Sequence, residues 1–185
     1  MTTCSDSNKF DTDKHVKNQR ETFELIYMEH YDLLLNYGQK INADKQFIKD
    51  CIQDLFVKLY DLKREINPDM NVRAYLIKSL RNIIFDKLHG NGRVREDCEE
   101  LPFNYEIEEN ELKSLFGQDD NELALGLKLM SAYSALSSNR KQILYLRYVR
   151  SLSYKEIADI LNINEQSAMN LGSRTLRKLR DFFDK

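Results

Sequence analysis

The feature that most constrains this chain is the run SYKEIADILNINEQSAMNLGSRTLRKLRDFF, residues 153–183. Ser153 and Glu156 stand at capping-box spacing, so a hydroxyl and a carboxylate can satisfy the free amides of a helix start. Ile157, Ala158, Ile160 and Leu161 supply a short apolar face. Asn162 falls where a sharp turn needs left-handed backbone, which Asn adopts at lower cost than most residues. Ile163 then returns to the core, and Asn164 can cap the next helix. That second helix directs Ala168, Leu171, Leu176 and Leu179 inward and leaves Arg174, Arg177, Lys178 and Arg180 outward. Small side chains at Ala158 and Ala168 let the two helices cross closely. The pattern predicts a helix-turn-helix with a basic second helix, a form that contacts DNA. A plain helical hairpin with a basic face is the simpler alternative. Agreement between cap, turn residue and charge favours the former.

Charge distribution supports that reading where the total does not. The formal net charge of the 185 residues is −2. Residues 96–122 carry eleven acidic side chains against Lys113 alone, whereas residues 73–95 carry six Lys or Arg against Asp86 alone. Residues 140–185 hold ten Lys or Arg against five acids, so two basic blocks flank an acidic one. Six glycines and two prolines are too few for many strand-joining turns, which predicts a mostly helical chain. Cys4, Cys51 and Cys98 are scattered, and His15, His30 and His89 do not cluster, so neither a metal site nor a cofactor site is expected. The polar N-terminal stretch lacks a signal peptide's apolar core, and no apolar run is long enough to span a bilayer. A cytoplasmic protein with reduced thiols and no membrane insertion is expected.

Along the chain, residues 1–20 are expected to be a disordered tail. Helices are predicted over about 21–39 (Phe23, Ile26, Tyr27, Tyr31, Leu34, Leu35), 44–62 (Ile48, Cys51, Ile52, Leu55, Leu59) and 72–88 (Tyr75, Leu76, Leu80, Ile83, Ile84). Asn67-Pro68-Asp69 marks a loop before the third helix, and Gly90-Asn91-Gly92 stops it. Residues 96–121 form the acidic linker. A second unit, 122–185, begins with a helix to about Leu136. Ser137-Ser138 can cap the next, over 139–149 (Ile143, Leu144, Leu146, Tyr148), ahead of the helix-turn-helix. The fold class is all-α: two small helical domains, 21–95 and 122–185, joined by an acidic flexible linker.

With both units placed, the chain resembles a sigma factor of the sigma-70 family, of the short extracytoplasmic-function (ECF) type. DCIQDLF, residues 50–56, is similar to the family's D-[LV]-V-Q-[ED]-x-F signature. RAYLIKSLRNIIFDKL, residues 73–88, resembles the segment that follows it, with an Arg-Asn pair in an aromatic-rich helix. LSSNRKQILYLRY, residues 136–148, is similar to the start of the fourth conserved region, and LSYKEIADILNI to its helix-turn-helix. A single helix-turn-helix match is common among regulators; the ordered set is specific.

The resemblance implies a non-enzymatic initiation factor that binds core RNA polymerase, directs it to promoter DNA and helps open the duplex. Asp50, Gln53 and Asp54 would dock on the polymerase as exposed acceptors beside an apolar stripe. Arg73, Lys78, Arg81 and Asn82 would serve the minus-10 element, the cations on phosphates and Asn82 near a flipped base. The loop at 63–71 would carry specificity, while Tyr75 and Phe85 belong to the core. Glu165, Gln166, Ser167, Met169 and Asn170 would reach base edges or nearby phosphates of the minus-35 element, and Arg174 and Arg177 the backbone. Met169 and Leu171 are apolar where many members carry Lys or Arg. Gly172 sits mid-helix, explained either by close approach of another backbone or by a bend. The acidic linker is either a solvated tether or an anionic segment for polymerase channels and basic surfaces. The short type also implies an anti-sigma factor as partner. A stand-alone helix-turn-helix regulator would leave DCIQDLF and the 73–88 block unexplained, and a sigma-like mimic that sequesters an anti-sigma factor need not retain the basic DNA-reading groups.

Overall fold

A computed structural model describes residues 7–61, 71–90, 101–105 and 120–183. The Asn67-Pro68-Asp69 loop, Asn91-Gly92 and acidic residues 96–100 and 106–119 lie outside them. The elements are α1 (Ser7–Gln39), α2 (Lys45–Asp61), α3 (Val72–His89), α4 (Asp120–Ser134), α5 (Ser138–Leu144), a π-helical turn (Tyr145–Val149), α6 (Tyr154–Leu161) and α7 (Glu165–Phe183). Among the described residues there is no strand, and no helix is long and apolar enough to cross a membrane.

α1 begins at Ser7, so most of the expected disordered tail is helix. No Gly or Pro occurs between Ser7 and Tyr37. Once the apolar half of α1 is nucleated by packing, nothing in that polar stretch stops propagation toward the N-terminus. α2 is capped by Asp44, whose carboxylate accepts from the amides of Gln46 (2.9 Å) and Phe47 (3.1 Å). Its predicted stripe, Ile48, Cys51, Ile52, Leu55 and Leu59, is buried throughout. Gly38 brings α1 and α2 together: a Cβ there would lie 2.5 Å from Ile48 Cγ2. Asn71 caps α3 by accepting from the Ala74 amide at 3.2 Å.

α3 is buried more widely than a surface helix. Ala74, Leu76, Ile77, Leu80, Arg81, Ile83, Ile84 and Phe85 are all buried. At 3.6 residues per turn they span an arc of about 200°, wider than the single stripe of a one-sided helix. The reason is that α3 packs on α1 and α2 and also on α6 of the second unit.

In that second unit, α5 does not run on as a regular helix to position 149. The π turn inserts one residue into the register. Tyr145 turns inward at 1% exposure, while Tyr148, expected on the apolar face, is 58% exposed. Ser137 makes no side-chain cap to α5. Ser138 Oγ instead accepts from the Phe103 amide at 3.3 Å.

The acidic stretch is not a bare tether. Leu101 and Phe103 are buried in the same apolar cluster as residues of both units. The Asn104 amide donates to the Lys40 carbonyl at 2.7 Å. Two apolar side chains spaced for one face outweigh the surrounding charge, since burying a side chain of this size stabilises by roughly 1.5–3 kcal/mol.

Candidate functional site

The helix-turn-helix is built by the chemistry its sequence specifies. Ser153 and Glu156 form a complete capping box: the Glu156 carboxylate accepts from the Ser153 amide at 2.6 Å, and Ser153 Oγ from the Glu156 amide at 3.2 Å. Asn162 closes α6 in the left-handed conformation, φ 56° and ψ 43°. The Ile163 amide then donates to the Ala158 carbonyl at 3.0 Å. Asn164 Oδ1 caps α7 through the Ser167 amide at 2.7 Å. Arg147 braces the entry to α6, donating to the Leu152 carbonyl at 2.8 Å with its guanidinium over the Tyr154 ring. Ser153→Ala is expected to lower stability by about 1 kcal/mol, as for other N-cap losses; a chemical-denaturation midpoint within error of the parent would count against the cap.

Gly172 has a different explanation from either one offered by the sequence. A Cβ there would meet the Tyr154 ring, 2.7 Å from Oη and 2.9 Å from Cε1. An aromatic side chain of α6, rather than a backbone, occupies the space. The inward residues of α7 are Ala168, Gly172 and Thr175, with Leu171 and Leu179 half-buried against the core. Leu176, expected inward, is 40% exposed. Thr175 takes its place because its hydroxyl bonds the Leu171 carbonyl at 2.7 Å and so can be buried without an unmet donor.

The residues expected to read DNA from α7 stand together. Glu165, Gln166, Met169, Asn170, Arg174 and Arg177 are exposed, and Ser167, whose amide donates to the Asn164 cap, is half-buried. Gln166 and Asn170 are one turn apart and hydrogen-bonded side chain to side chain at 3.2 Å. The face away from Ala168 and Thr175 therefore carries amide and guanidinium groups in register, the types that address base edges and phosphates.

The four residues assigned on α3 divide. Lys78 and Asn82 are half-exposed and lie one turn apart on the same face. Arg73 is half-buried toward α6, where its positive charge acts on Glu156. Arg81 is only 8% exposed. It lies close enough to Tyr37 for its charge to act on that phenol, so this arrangement does not present it to a phosphate. The expectation of an outward Arg81 fails because α3 is covered on two sides, which its own apolar spacing does not reveal.

Glu156 joins the two units. Burial pushes its carboxyl up, but hydrogen bonds from Ser153 and Asn71 and the charge of Arg73 outweigh burial and hold it below the usual carboxylate range. Its Asn71 partner donates through Nδ2 from the start of α3.

A third face lies on α1 and α2. Asp50 and Gln53 are exposed beside a cleft of about 540 Å³, lined by Phe23, Tyr27, Tyr31, Phe56 and Tyr60 among others. Asp50 accepts from Gln46 Nε2 at 2.9 Å. Asp54, grouped with them, is instead committed to Lys87 of α3 at 2.7 Å. That bond is the main cause that raises the Lys87 ammonium above its ordinary value. Apolar rings edged by the Asp50 carboxylate, the Gln46 and Gln53 amides and the Lys49 ammonium suit a partner that brings apolar side chains together with matching charged ones. Among the described residues no group of three or more His, Cys, Asp or Glu could hold a metal ion.

Residues 26–94, comprising most of the first unit, match the family model described as Sigma-70 region 2. Residues 126–179, which contain the helix-turn-helix, match the model described as Sigma-70, region 4. The chain belongs to the sigma-70 family. The two sigma-70 regions together cover about two thirds of it, in the family's order. The chain is similar to the ECF RNA polymerase sigma factor SigM of Bacillus subtilis (strain 168), 21% identical over 164 residues, covering 89% of this chain and 96% of that protein. It is also similar to the RNA polymerase sigma factor YlaC of the same organism, 24% identical over 147 residues, or 77% of this chain and 80% of that one. Among solved structures, the sigma factor RpoE in complex with the anti-sigma factor NepR from Bartonella quintana aligns with a TM-score of 0.56 at 17% identity. That alignment covers 89% of this chain and 98% of the other, and shows a shared fold.

Sequence reasoning did not single out Tyr37, Phe103 or Gln142. These buried residues lie where the two sigma-70 regions meet: Gln142 Nε2 donates to Tyr37 Oη at 2.8 Å, and the Phe103 ring sits 6.0 Å from that of Tyr37. The available signal was Leu101-Pro102-Phe103, an apolar pair inside an otherwise acidic run.

Proposed function

We propose that this chain is a non-enzymatic initiation factor of the cytoplasm, which recruits core RNA polymerase to promoters as an ECF sigma factor. Its first unit, 21–95, docks polymerase through Asp50, Gln53 and Asp54, and addresses the minus-10 element through Lys78, Asn82 and Arg73. Its second unit, 122–185, reads the minus-35 element through Gln166, Asn170, Arg174 and their neighbours. An anti-sigma factor is a further partner. The name of the RpoE structure includes one, and the similarity of fold makes the same class of partner reasonable here.

The observation that carries the reading is the presence in one chain of two unlike interfaces: an aromatic cleft on α1–α2 with Asp50 and Gln53 at its edge, and a basic recognition face on α7. A stand-alone regulator needs only the second. Co-elution of the purified chain with bacterial core RNA polymerase on a sizing column tests the proposal. A stable complex supports it, and duplex binding without complex formation returns the stand-alone regulator. On the DNA side, Arg174→Ala is expected to weaken duplex binding and to lower its salt slope by about one phosphate contact. An unchanged slope in a fluorescence salt titration removes Arg174 from the backbone contacts.

A further inference from the structure

We propose that α7 selects A·T base pairs in the minus-35 element and discriminates against guanine, with Gln166 and Asn170 on neighbouring adenines and Met169 on a thymine methyl. The inference rests on the reading of α7 as the duplex-binding helix, and adds the class of base pair that it selects.

The outward face of α7 follows from its buried one. At 100° per residue, Ala168, Gly172 and Thr175 fall within an arc of about 60°. The opposite side is centred on Gln166, Asn170, Ser173 and Arg177, all exposed, with Met169 on one flank and Arg174 on the other. In a helix-turn-helix the N-terminal part of the second helix meets the base edges. Residues 165–170 are therefore the readers, and no Lys or Arg is among them. The first cation of α7 is Arg174, about 12 Å along the axis from Gln166. Guanine presents two acceptors in the major groove, O6 and N7, and its usual partner is the double donor of Arg or Lys. That chemistry is missing where the bases are read.

What is present instead fits adenine. Gln166 Nε2 donates to Asn170 Oδ1 at 3.2 Å. A side-chain amide has two N–H donors and one oxygen with two lone pairs. After this bond Gln166 keeps one N–H and all of Oε1. One donor beside one acceptor complements adenine, whose N7 accepts and whose N6 amine donates. Against guanine the same Oε1 would face O6, two acceptors with no proton between them. Asn170 keeps both N–H groups and one lone pair on Oδ1, so it too can meet N7 and N6. The two amides are separated by about 6 Å along the axis, against 3.4 Å per base-pair step, so they address neighbouring pairs. Glu165, exposed in the first turn, adds an acceptor that suits the amines of adenine or cytosine and is repelled by guanine O6 and N7.

Met169 is 42% exposed, and its thioether is only a weak acceptor. The apolar group that the major groove offers is the thymine C5 methyl, which a flexible thioether chain can cover. The reading half of α7 is also held in place. Asn164 caps it through the Ser167 amide, and the Tyr154 ring fills the space over Gly172. Amides oriented before binding lose less freedom on contact.

The test is selection from a duplex library with eight randomised base pairs, made with the full chain alone and again with the chain bound to core RNA polymerase. The parent should enrich two neighbouring adenines beside a thymine, with guanine depleted at those positions. Gln166→Ala should relax one adenine position by about tenfold, the discrimination of one bidentate pair. Deoxyuridine in place of the thymine lacks only the methyl and should weaken parent binding about fourfold, with no effect on Met169→Ala. Met169→Arg should convert that position to guanine. Enrichment of guanine by the parent, or a profile that Gln166→Ala leaves unaltered, overturns the assignment. Duplex binding with no base preference also overturns it and leaves the DNA-binding reading standing. Retention of no duplex in either setting overturns that reading itself, and this inference with it.

Discussion

Asp50→Arg is expected to weaken binding to core RNA polymerase roughly 100-fold, with little change in the stability of the free chain. Asp50 is exposed and its carboxylate accepts from Gln46, one turn earlier on the same helix. Losing an exposed hydrogen bond of this kind changes stability by about 0.5 kcal/mol at most. At an interface the charge counts for more. Truncating one partner of a desolvated charge pair costs about 2–5 kcal/mol, and each 1.4 kcal/mol is tenfold in affinity. Reversal adds repulsion from the partner's cation, so two decades is the middle of the expected range. Asp50→Asn should fall between the parent and Asp50→Arg. Asp54→Ala should also lower affinity, and because Asp54 holds Lys87 at 2.7 Å it should loosen the α2–α3 contact as well. A competition assay with labelled core polymerase would measure all three; equal affinity for Asp50→Arg and parent would move the docking surface elsewhere.

Leu80→Ala should produce the largest loss of stability, about 3 kcal/mol. Leu80 is fully buried on α3, the helix packed by α1, α2 and α6 together. A truncation at such a position leaves a cavity that three fixed neighbours cannot collapse, and the cost of a core Leu→Ala rises with the cavity that remains. For a chain of this size that corresponds to a drop in Tm of roughly 6–12 °C. Lys58→Ala, on the exposed side of α2, is the matched control and should stay within about 0.5 kcal/mol of the parent. A thermal melt of Leu80→Ala within 2 °C of the parent would mean that α3 has a solvent-facing side at Leu80.

Local chemistry was legible in the sequence wherever a residue and its partner lie within a few positions. Ser153 and Glu156, Asn162, Asn164 and the α2 stripe all behave as their spacing requires, because caps, turns and amphipathic stripes are set by contacts three or four residues apart. The same spacing placed the outward residues of α7, and with them the candidate DNA face. Errors arose from two causes. Within helices, Leu176 and Thr175 exchange roles through a hydroxyl satisfied four residues back, and Tyr145 and Tyr148 exchange faces through one π turn that no periodicity of 3.6 anticipates. Between elements, a partner from far along the chain decides which charged groups stay exposed.

What the sequence by itself determined is the family, the two helical units and the exposed groups of the recognition helix, since each depends on short-range patterns that a single chain carries in full. What only the tertiary structure decided is which of those groups are free to act. Arg73 and Arg81 are as basic in the sequence as Lys78, yet the first acts on Glu156 of α6 and the second is buried with its charge acting on Tyr37 of α1. Phe103 likewise reads as part of an acidic tether until Tyr37 and Tyr145 are brought to either side of it. Burial is a property of the whole assembly: a side chain's distance from water depends on every element that covers it, and those elements come from positions tens of residues away.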